Sequence, residues 1–350
     1  MRREICFIYP WATFGGVERM LLNRAAAFAS VNAPIRMNLH FQHNAGGLKH
    51  LTEAIGRLSL SGFCRIVETL PDDCDLFVAI DSEEAVNTLC TQRLRYIVEC
   101  HTAYAENRTY LKRLPESCEK VLVPSAEFLK KIVMEHPRLS KRCELVRNFV
   151  PWDLLPNENR KEISLPGWHR RPILFLGRMD GLKNPSELLD AFEVIEANRP
   201  GQFLLLFCGP IMPEFDLQKE LKTRGLTSSC LYMPPVPFAS VQKLLRAIAT
   251  RKGIFVSPSK DESFGLSAAE AISYGVPVVL SDIEAHRSLT GTHRKAFTYA
   301  LGDPKGLAAR VFAVIDNYEY MLNAVSDLRK SLSSTSFLSD WNKLMTELKL

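Results

Sequence analysis

The chain has 350 residues, 46% hydrophobic and 24% charged, with 44 Lys and Arg against 39 Asp and Glu for a formal charge of +5. That length serves two domains of ordinary size, the composition is that of a soluble globular protein, and so small a net charge does not announce a nucleic-acid partner. Nine cysteines, an odd number without a Cys-x-x-Cys pair, argue against a disulfide framework and against a zinc site.

The chain begins with an apolar run from Ile5 to Tyr9 that ends at Pro10, too short for a signal-peptide core and read as a first strand. No uncharged apolar stretch approaches the ~20 residues that span a bilayer. A reduced, cytoplasmic protein is expected, with any membrane association peripheral. Gly15 and Gly16 follow the first strand, and Val17, Met20, Leu21, Ala25 and Phe28 then fall on one helical face. A glycine pair there lets backbone approach a ligand at a helix N-terminus, or makes a tight turn. It has neither the G-x-G-x-x-G spacing of a dinucleotide loop nor a P-loop lysine.

Strands are expected from Arg36 to Phe41, Asp75 to Ile80, Arg95 to Cys100, Glu119 to Val123 and Cys143 to Arg147. Helices are expected near Leu48 to Leu58, Glu83 to Leu89 and Ala126 to Glu135. This alternation implies right-handed crossovers and a mostly parallel, doubly wound sheet, with ligands at the carboxyl ends of strands. His101 and Thr102 stand at such an end, as do Asp81 and Ser125. His101 reads as a site residue or as a structural histidine. From Arg108 to Arg147 there are ten Lys or Arg against five Glu, which makes either a solvated helical face or a basic surface for anionic lipid or an anionic acceptor. Trp152 to Gly167, with Pro156, Asn157, Asn159 and Pro166, reads as a linker.

The second half repeats the alternation. The strand from Arg171 leads to Gly177-Arg178, and Lys183 follows before a helix through Ile195, for which Asn184, Pro185 and Glu187 are expected to supply N-cap, first-turn proline and capping-box acid. Arg178 and Lys183 therefore converge on a strand end and a helix start, where two cations can hold a diphosphate without a metal. Phe203 to Gly209 and Leu231 to Val236 read as further strands with their turns, and Val241 to Ala249 as a helix. The strand from Gly253 to Val256 is broken by Pro258 and Ser259, Glu262 lies in the loop, and Leu266 to Ile272 forms a helix ended by Gly275. Backbone N–H groups near Phe264, Gly265 and Leu266 are free for an anion, while Glu262 offers a carboxylate to hydroxyls. That combination suits a sugar nucleotide. A strand from Pro277 to Leu280, a helix from about Leu307 to Val314 and a helical tail from about Tyr318 to Leu350 complete the pattern. In the tail Phe337, Trp341, Leu344 and Leu348 are spaced by four, three and four.

Glu262, seven intervening residues and Glu270, enclosing Phe264-Gly265-Leu266, resemble the E-x7-E signature of retaining family-4 glycosyltransferases. The loop Gly15 to Arg19, the phrase Asn148-Phe149-Val150-Pro151 and the Gly-Arg-x4-Lys spacing from Gly177 to Lys183 are similar to other motifs of that family. Three departures stand out. Phe149 replaces a glycine, Pro151 replaces an acid, and Asn184 stands where the family has a glycine after the lysine. The resemblance implies the GT-B architecture: two Rossmann-like domains facing across a cleft, residues 1–160 on the acceptor side and 161–330 binding the nucleotide sugar, with residues 331–350 crossing back to the first domain. It implies that Glu262 and His101 meet the donor sugar and that Glu270 meets the nucleotide ribose. Arg178 and Lys183 would hold the diphosphate, Gly15 and Gly16 would face the cleft, and the loop at Gly209 would border the base. The activity it implies is transfer of a sugar, with retention, from a nucleoside-diphosphate donor to a glycan or lipid-linked acceptor, with no metal and no cofactor beyond the donor. A hydrolysing nucleotide-sugar epimerase and a non-catalytic sugar-nucleotide-binding protein are the alternatives.

Overall fold

The computed structural model describes residues 2–13, 15–154 and 169–350. The expected linker from Trp152 to Gly167 lies almost wholly outside the described residues. The chain divides into two compact units, Met1–Pro156 with Ser333–Leu350, and Asn157–Leu332.

In the first unit the order is β1 (Arg3–Ala12), α1 (Gly16–Ser30), β2 (Ile35–Asn44), α2 (Leu48–Arg57), β3 (Cys64–Val67), β4 (Leu76–Ile80), α3 (Glu83–Thr91), β5 (Tyr96–Glu99), β6 (Val121–Val123), α4 (Ala126–Glu135) and β7 (Cys143–Leu145). The second unit comprises β8 (Arg171–Leu176), α5 (Pro185–Asn198), β9 (Phe203–Cys208), α6 (Leu217–Thr223), β10 (Cys230–Met233), α7 (Phe238–Thr250), β11 (Ile254–Ser257), α8 (Leu266–Ser273), β12 (Val278–Ser281), α9 (Glu284–Thr290), α10 (Arg294–Phe297), β13 (Thr298–Tyr299), α11 (Pro304–Asp316) and α12 (Tyr318–Lys330). A last helix, α13 (Ser334–Glu347), belongs to the first unit.

Each unit is built on one sheet whose strand pairs are all parallel. The first has the order β3-β2-β1-β4-β5-β6-β7 and the second β10-β9-β8-β11-β12-β13. The central strands are apolar runs such as Leu76–Ile80, buried along their whole length, because helices cover both faces of such a sheet. In each sheet the chain winds outward from the first strand in one direction and then the other. The first unit's switch point lies between β1 and β4, the second unit's between β8 and β11, and the loops at the carboxyl ends of those strands bind ligands in folds of this kind.

The tail is two helices rather than one. It breaks after Lys330, and its halves fall in different units. In α13, Trp341 is fully buried beside Phe7 of β1 and Phe28 of α1, with ring centroids 6.2 and 5.4 Å away. Phe337 stacks on Phe149 at 4.9 Å. The bulky residue in place of a glycine at position 149 is therefore a core contact for this helix.

The excess of cations between Arg108 and Arg147 does not form a continuous free face. Arg108 is buried and forks onto Glu135, Lys120 joins Glu144 and Glu347, and Arg147 meets Asp340. Arg138 and Arg142 donate to the carbonyls of Leu111, Leu114, Pro115 and Cys118. Half of the ten cations thus knit the unit internally.

Candidate functional site

Three adjacent strands of the second unit end in loops that are tied together. After β8, Arg178 is half exposed, with Nε 3.1 Å from Asp180 Oδ2. The other oxygen of Asp180, a buried residue, accepts the backbone N–H groups of Leu182 and Lys183 at 3.1 and 2.8 Å. Asp180 therefore shapes the turn that presents both cations, a role its position in the sequence does not signal. Gly209, after β9, has φ +138°, and a Cβ there would stand 2.1 Å from the carbonyl oxygen of Gly177. Only glycine lets this loop touch the one carrying Arg178.

The loop after β11 docks on the same turn. Lys260 N–H donates to the Leu182 carbonyl at 2.8 Å, and Asn184 Nδ2 donates to the Pro258 carbonyl at 3.3 Å. Lys183 Nζ forms an ion pair with Glu262 Oε1, which also accepts from Ser259 Oγ at 2.8 Å. Burial would push the Glu262 carboxyl up, but Lys183 and the Ser259 hydroxyl outweigh it and hold it below the usual carboxylate range. Glu262 is thus an anion. Gly265 stands at the N-cap of α8 with φ +84° and, as a glycine, supplies no side-chain cap to the start of the helix. Phe264 and Glu270 are buried, the latter within α8. Asn184 takes the N-cap position of α5 and Pro185 the first turn, as the sequence leads one to expect, but the role of the Asn184 side chain needs correction. Its side chain donates to Glu187 and Pro258 instead of capping α5, and its backbone is left-handed at φ +56°. A glycine suits that backbone, and asparagine is among the side-chain residues that tolerate it, which accounts for the departure from the family pattern.

Behind Glu262 lies a residue that sequence reasoning missed. His286 of α9 is fully buried, its Nδ1 is 2.9 Å from the Ser281 carbonyl, and its Nε2 has no hydrogen-bond partner. A buried acceptor left unsatisfied typically costs about 1–3 kcal/mol.

His101, Gly15 and Gly16 lie in the first unit. His101 follows β5; its N–H donates to Asp81 Oδ1 at 2.9 Å, and its Nε2 is 3.2 Å from Glu99 Oε2. Glu99 is wholly buried and pairs with buried Arg24 at 2.6 Å, whose guanidinium lies over the rings of Phe337 and Trp341. Burial pushes the Glu99 carboxyl up, yet Arg24 and His101 more than offset it and hold it at about 2. An ionised Glu99 can only accept, so Nε2 of His101 carries the proton and Nδ1 is the ring's remaining polar position. Ser125 has a local task, capping α4 through Phe128 N–H at 3.2 Å. At the glycine pair, Glu18 folds back over the loop and accepts from Thr13 N–H and, at 2.8 Å, from Thr13 Oγ1. A Cβ on Gly15 would stand 2.9 Å from the same carboxyl group. A carboxylate so placed makes this loop a poor phosphate cradle.

The tied loops of the second unit lie inside a stretch shared with other proteins: residues 158–331 match the glycosyl transferases group 1 family. The second unit is therefore a group 1 glycosyl transferase domain. A D-inositol 3-phosphate glycosyltransferase of Paenarthrobacter aurescens is 33% identical over 135 residues, 37% of this chain and 32% of its own length. O-antigen chain mannosyltransferase B of Escherichia coli is 30% identical over 142 residues, 40% of this chain and 35% of its own. The chain thus covers about a third of the length of these curated relatives. Likeness of fold extends much further. Anabaena HepE, solved in complex with UDP and glucose, superposes over 99% of this chain and 100% of its own with a TM-score of 0.78 at 15% identity. Sucrose-phosphate synthase of Thermosynechococcus elongatus does so over 99% of both with 0.72, also at 15%. These neighbours have the GT-B fold, and the fold class expected from the sequence stands: two parallel-sheet α/β domains with a helical C-terminus. Among the described residues no helix is long and apolar enough to cross a membrane.

Proposed function

We propose that this protein is a retaining glycosyltransferase, moving a sugar from a nucleoside-diphosphate donor to an acceptor hydroxyl in the synthesis of a cell-surface glycan or glycolipid. The observation that carries the reading is the pairing of Lys183 with Glu262, between two tied loops at the switch point of the second sheet, beside Arg178 and the uncapped start of α8. In this reading residues 161–330 bind the donor and residues 1–160 present the acceptor. Arg178, Lys183 and the backbone from Phe264 to Leu266 hold the diphosphate, Glu262 and His101 hold the sugar, Glu270 holds the ribose, and the loop at Gly209 borders the base. The loop at Gly15 and Gly16 borders the sugar through its backbone rather than the phosphates.

The bond from the anomeric carbon to the diphosphate oxygen breaks, and negative charge grows on the leaving diphosphate. Fixed cations and N–H dipoles aimed at that charge lower the barrier because they need no reorganisation. The acceptor oxygen attacks from the face the diphosphate leaves, and the departing phosphate oxygen takes the acceptor's proton. The products are the glycoside and a nucleoside diphosphate, and no cofactor beyond the donor enters.

The test is incubation of the protein with UDP-, GDP- and ADP-sugars, with and without an acceptor extract, in the presence and absence of EDTA. Acceptor-dependent release of nucleoside diphosphate, with or without chelator, is expected. Release without acceptor points to a hydrolysing epimerase, and binding without release to a non-catalytic protein. A peripheral contact with an anionic membrane draws support from exposed Lys112, Arg113, Lys130 and Lys141 of the first unit. Sedimentation with anionic but not neutral vesicles, abolished by high salt, is its expected signature.

A further inference from the structure

The buried imidazole behind the Glu262 loop has a fixed tautomer and one unused nitrogen. Nδ1 of His286 lies 2.9 Å from the Ser281 carbonyl oxygen and 3.1 Å from Ser281 Oγ. That hydroxyl is already donating to the Ser259 carbonyl at 2.5 Å. Nδ1 must therefore supply a proton to the Ser281 carbonyl, and Nε2 is where the ring gains or loses its second proton. Nε2 is buried and without a partner. The ring edge faces the start of α8: a Cβ at Gly265 would lie 3.5 Å from Cδ2 and 3.7 Å from Nε2. An unfilled buried nitrogen and an uncapped helix start, arising from different elements, thus confront one another.

The groups that act on this ring come from each loop around it. Burial opposes its charge, as does Lys183 from the β8 loop; Glu262 from the β11 loop, the Ser281 carbonyl and Asp282 favour it. Leu289 of its own helix supplies apolar contact at Gly265. With the loop empty, burial prevails and holds the imidazole below its ordinary range. A bound diphosphate changes two members of this balance. It brings negative charge to the helix start, and it draws Lys183 away from Glu262, which leaves that carboxylate uncompensated beside the ring.

We propose that His286 is a proton-linked positioning residue of the donor site, neutral when the loop is empty and taking up one proton from solvent as a nucleoside diphosphate binds at Gly265. The inference rests on the diphosphate reading of this loop and deepens it. Imidazolium then stands behind the loop as a third cation beside Arg178 and Lys183, and N–H at Nε2 replaces the unsatisfied acceptor. Linkage is reciprocal, so the proton tightens the diphosphate as much as the diphosphate tightens the proton.

Calorimetric titration of the full chain with UDP, GDP and ADP identifies the nucleotide that binds. Its diphosphate sugar, whose bridging diphosphate has no proton to exchange near neutral pH, is then titrated in buffers of different ionisation enthalpy. The wild type is expected to take up a proton fraction that rises towards one, with affinity several-fold tighter near about pH 6 than near about pH 8. In His286→Asn the side-chain amide can still donate to the Ser281 carbonyl but cannot titrate, so proton uptake and pH dependence are expected to vanish together. His286→Gln, with its amide reaching towards Gly265, serves as the second variant. Binding with no proton uptake in the wild type overturns the proposal, and so does unchanged uptake in either folded variant. Failure of every nucleotide to bind overturns the diphosphate reading itself.

Discussion

Arg178 and Lys183 are the side chains on which the chemistry turns. Arg178→Ala and Lys183→Ala are each expected to lower kcat by roughly 10²–10³ fold, about 3–4 kcal/mol of stabilisation lost from a charge that grows in the transition state. Arg178 is half exposed, so Arg178→Ala should change the melting temperature little, whereas Lys183→Ala leaves the mostly buried Glu262 with Ser259 alone and should lower it. Near-wild-type turnover in both variants would sink the assignment. Glu99 presents the opposite case, a buried charge that supports the fold. Its carboxyl is held at about 2 against an ordinary 4.5. The stability it contributes, about 3 kcal/mol, is complete above pH 4.5 and is lost as the pH falls through about 2. Glu99→Gln leaves Arg24 buried and unpaired, a change expected to cost about 3–5 kcal/mol in urea unfolding at neutral pH and to flatten the acid limb of the stability profile. A stability profile unchanged by the substitution would mean that Arg24 finds another partner. Sequence spacing exposed Arg178, Lys183 and Glu262 because strand ends and helix starts have local signatures. It could not expose His286 or Asp180, since a lone histidine in Glu284-Ala285-His286-Arg287 or an aspartate in a turn acquires meaning only from loops that meet in space.

At the scale of the element, the contact between the β8 and β9 loops is the most constrained feature. Gly209→Ala would drive a methyl group into the backbone of Gly177, a contact no rotamer can relieve. A loss of about 1–3 kcal/mol is expected from overpacking of this kind. Activity should fall further than stability, because the displaced backbone carries Arg178. Equal turnover for variant and wild type would show that the loops separate without consequence. The long parallel strands were legible in the sequence since burial on both faces leaves runs such as Leu76–Ile80. Short edge strands were not. Cys64–Val67 has only four residues, mostly half buried, and Thr298–Tyr299 only two, so neither offers a pattern to read. The tail reads as helical throughout because both α12 and α13 are amphipathic; the break at Ser331 to Ser333 is too short to register as a change of domain.

The molecule as a whole is two parallel-sheet units, one of which is assembled from separated parts of the chain. Residues Met1–Pro156 are joined by Ser333–Leu350, and α13 adds Phe337 and Trp341 to a cluster with Phe7, Phe28 and Phe149. Trp341→Ala is expected to cost about 3–5 kcal/mol, read as a lower melting temperature for the first unit by calorimetry, with the transition of the second unit unmoved. A shift of both transitions together would mean that the two units unfold as one.

The same discontinuity has a consequence during synthesis. A ribosome elongates at about 5–20 residues per second, and residues 157–332 separate the end of the first segment from the helix that completes it. The first sheet therefore waits on the order of 10–35 seconds with the faces of Phe7, Phe28 and Phe149 uncovered, while the whole second unit emerges and is free to fold. Vectorial translation thus reverses the order of the map: the unit encoded second matures first. The nascent first unit meanwhile is a natural client for a chaperone that shields aromatic surface.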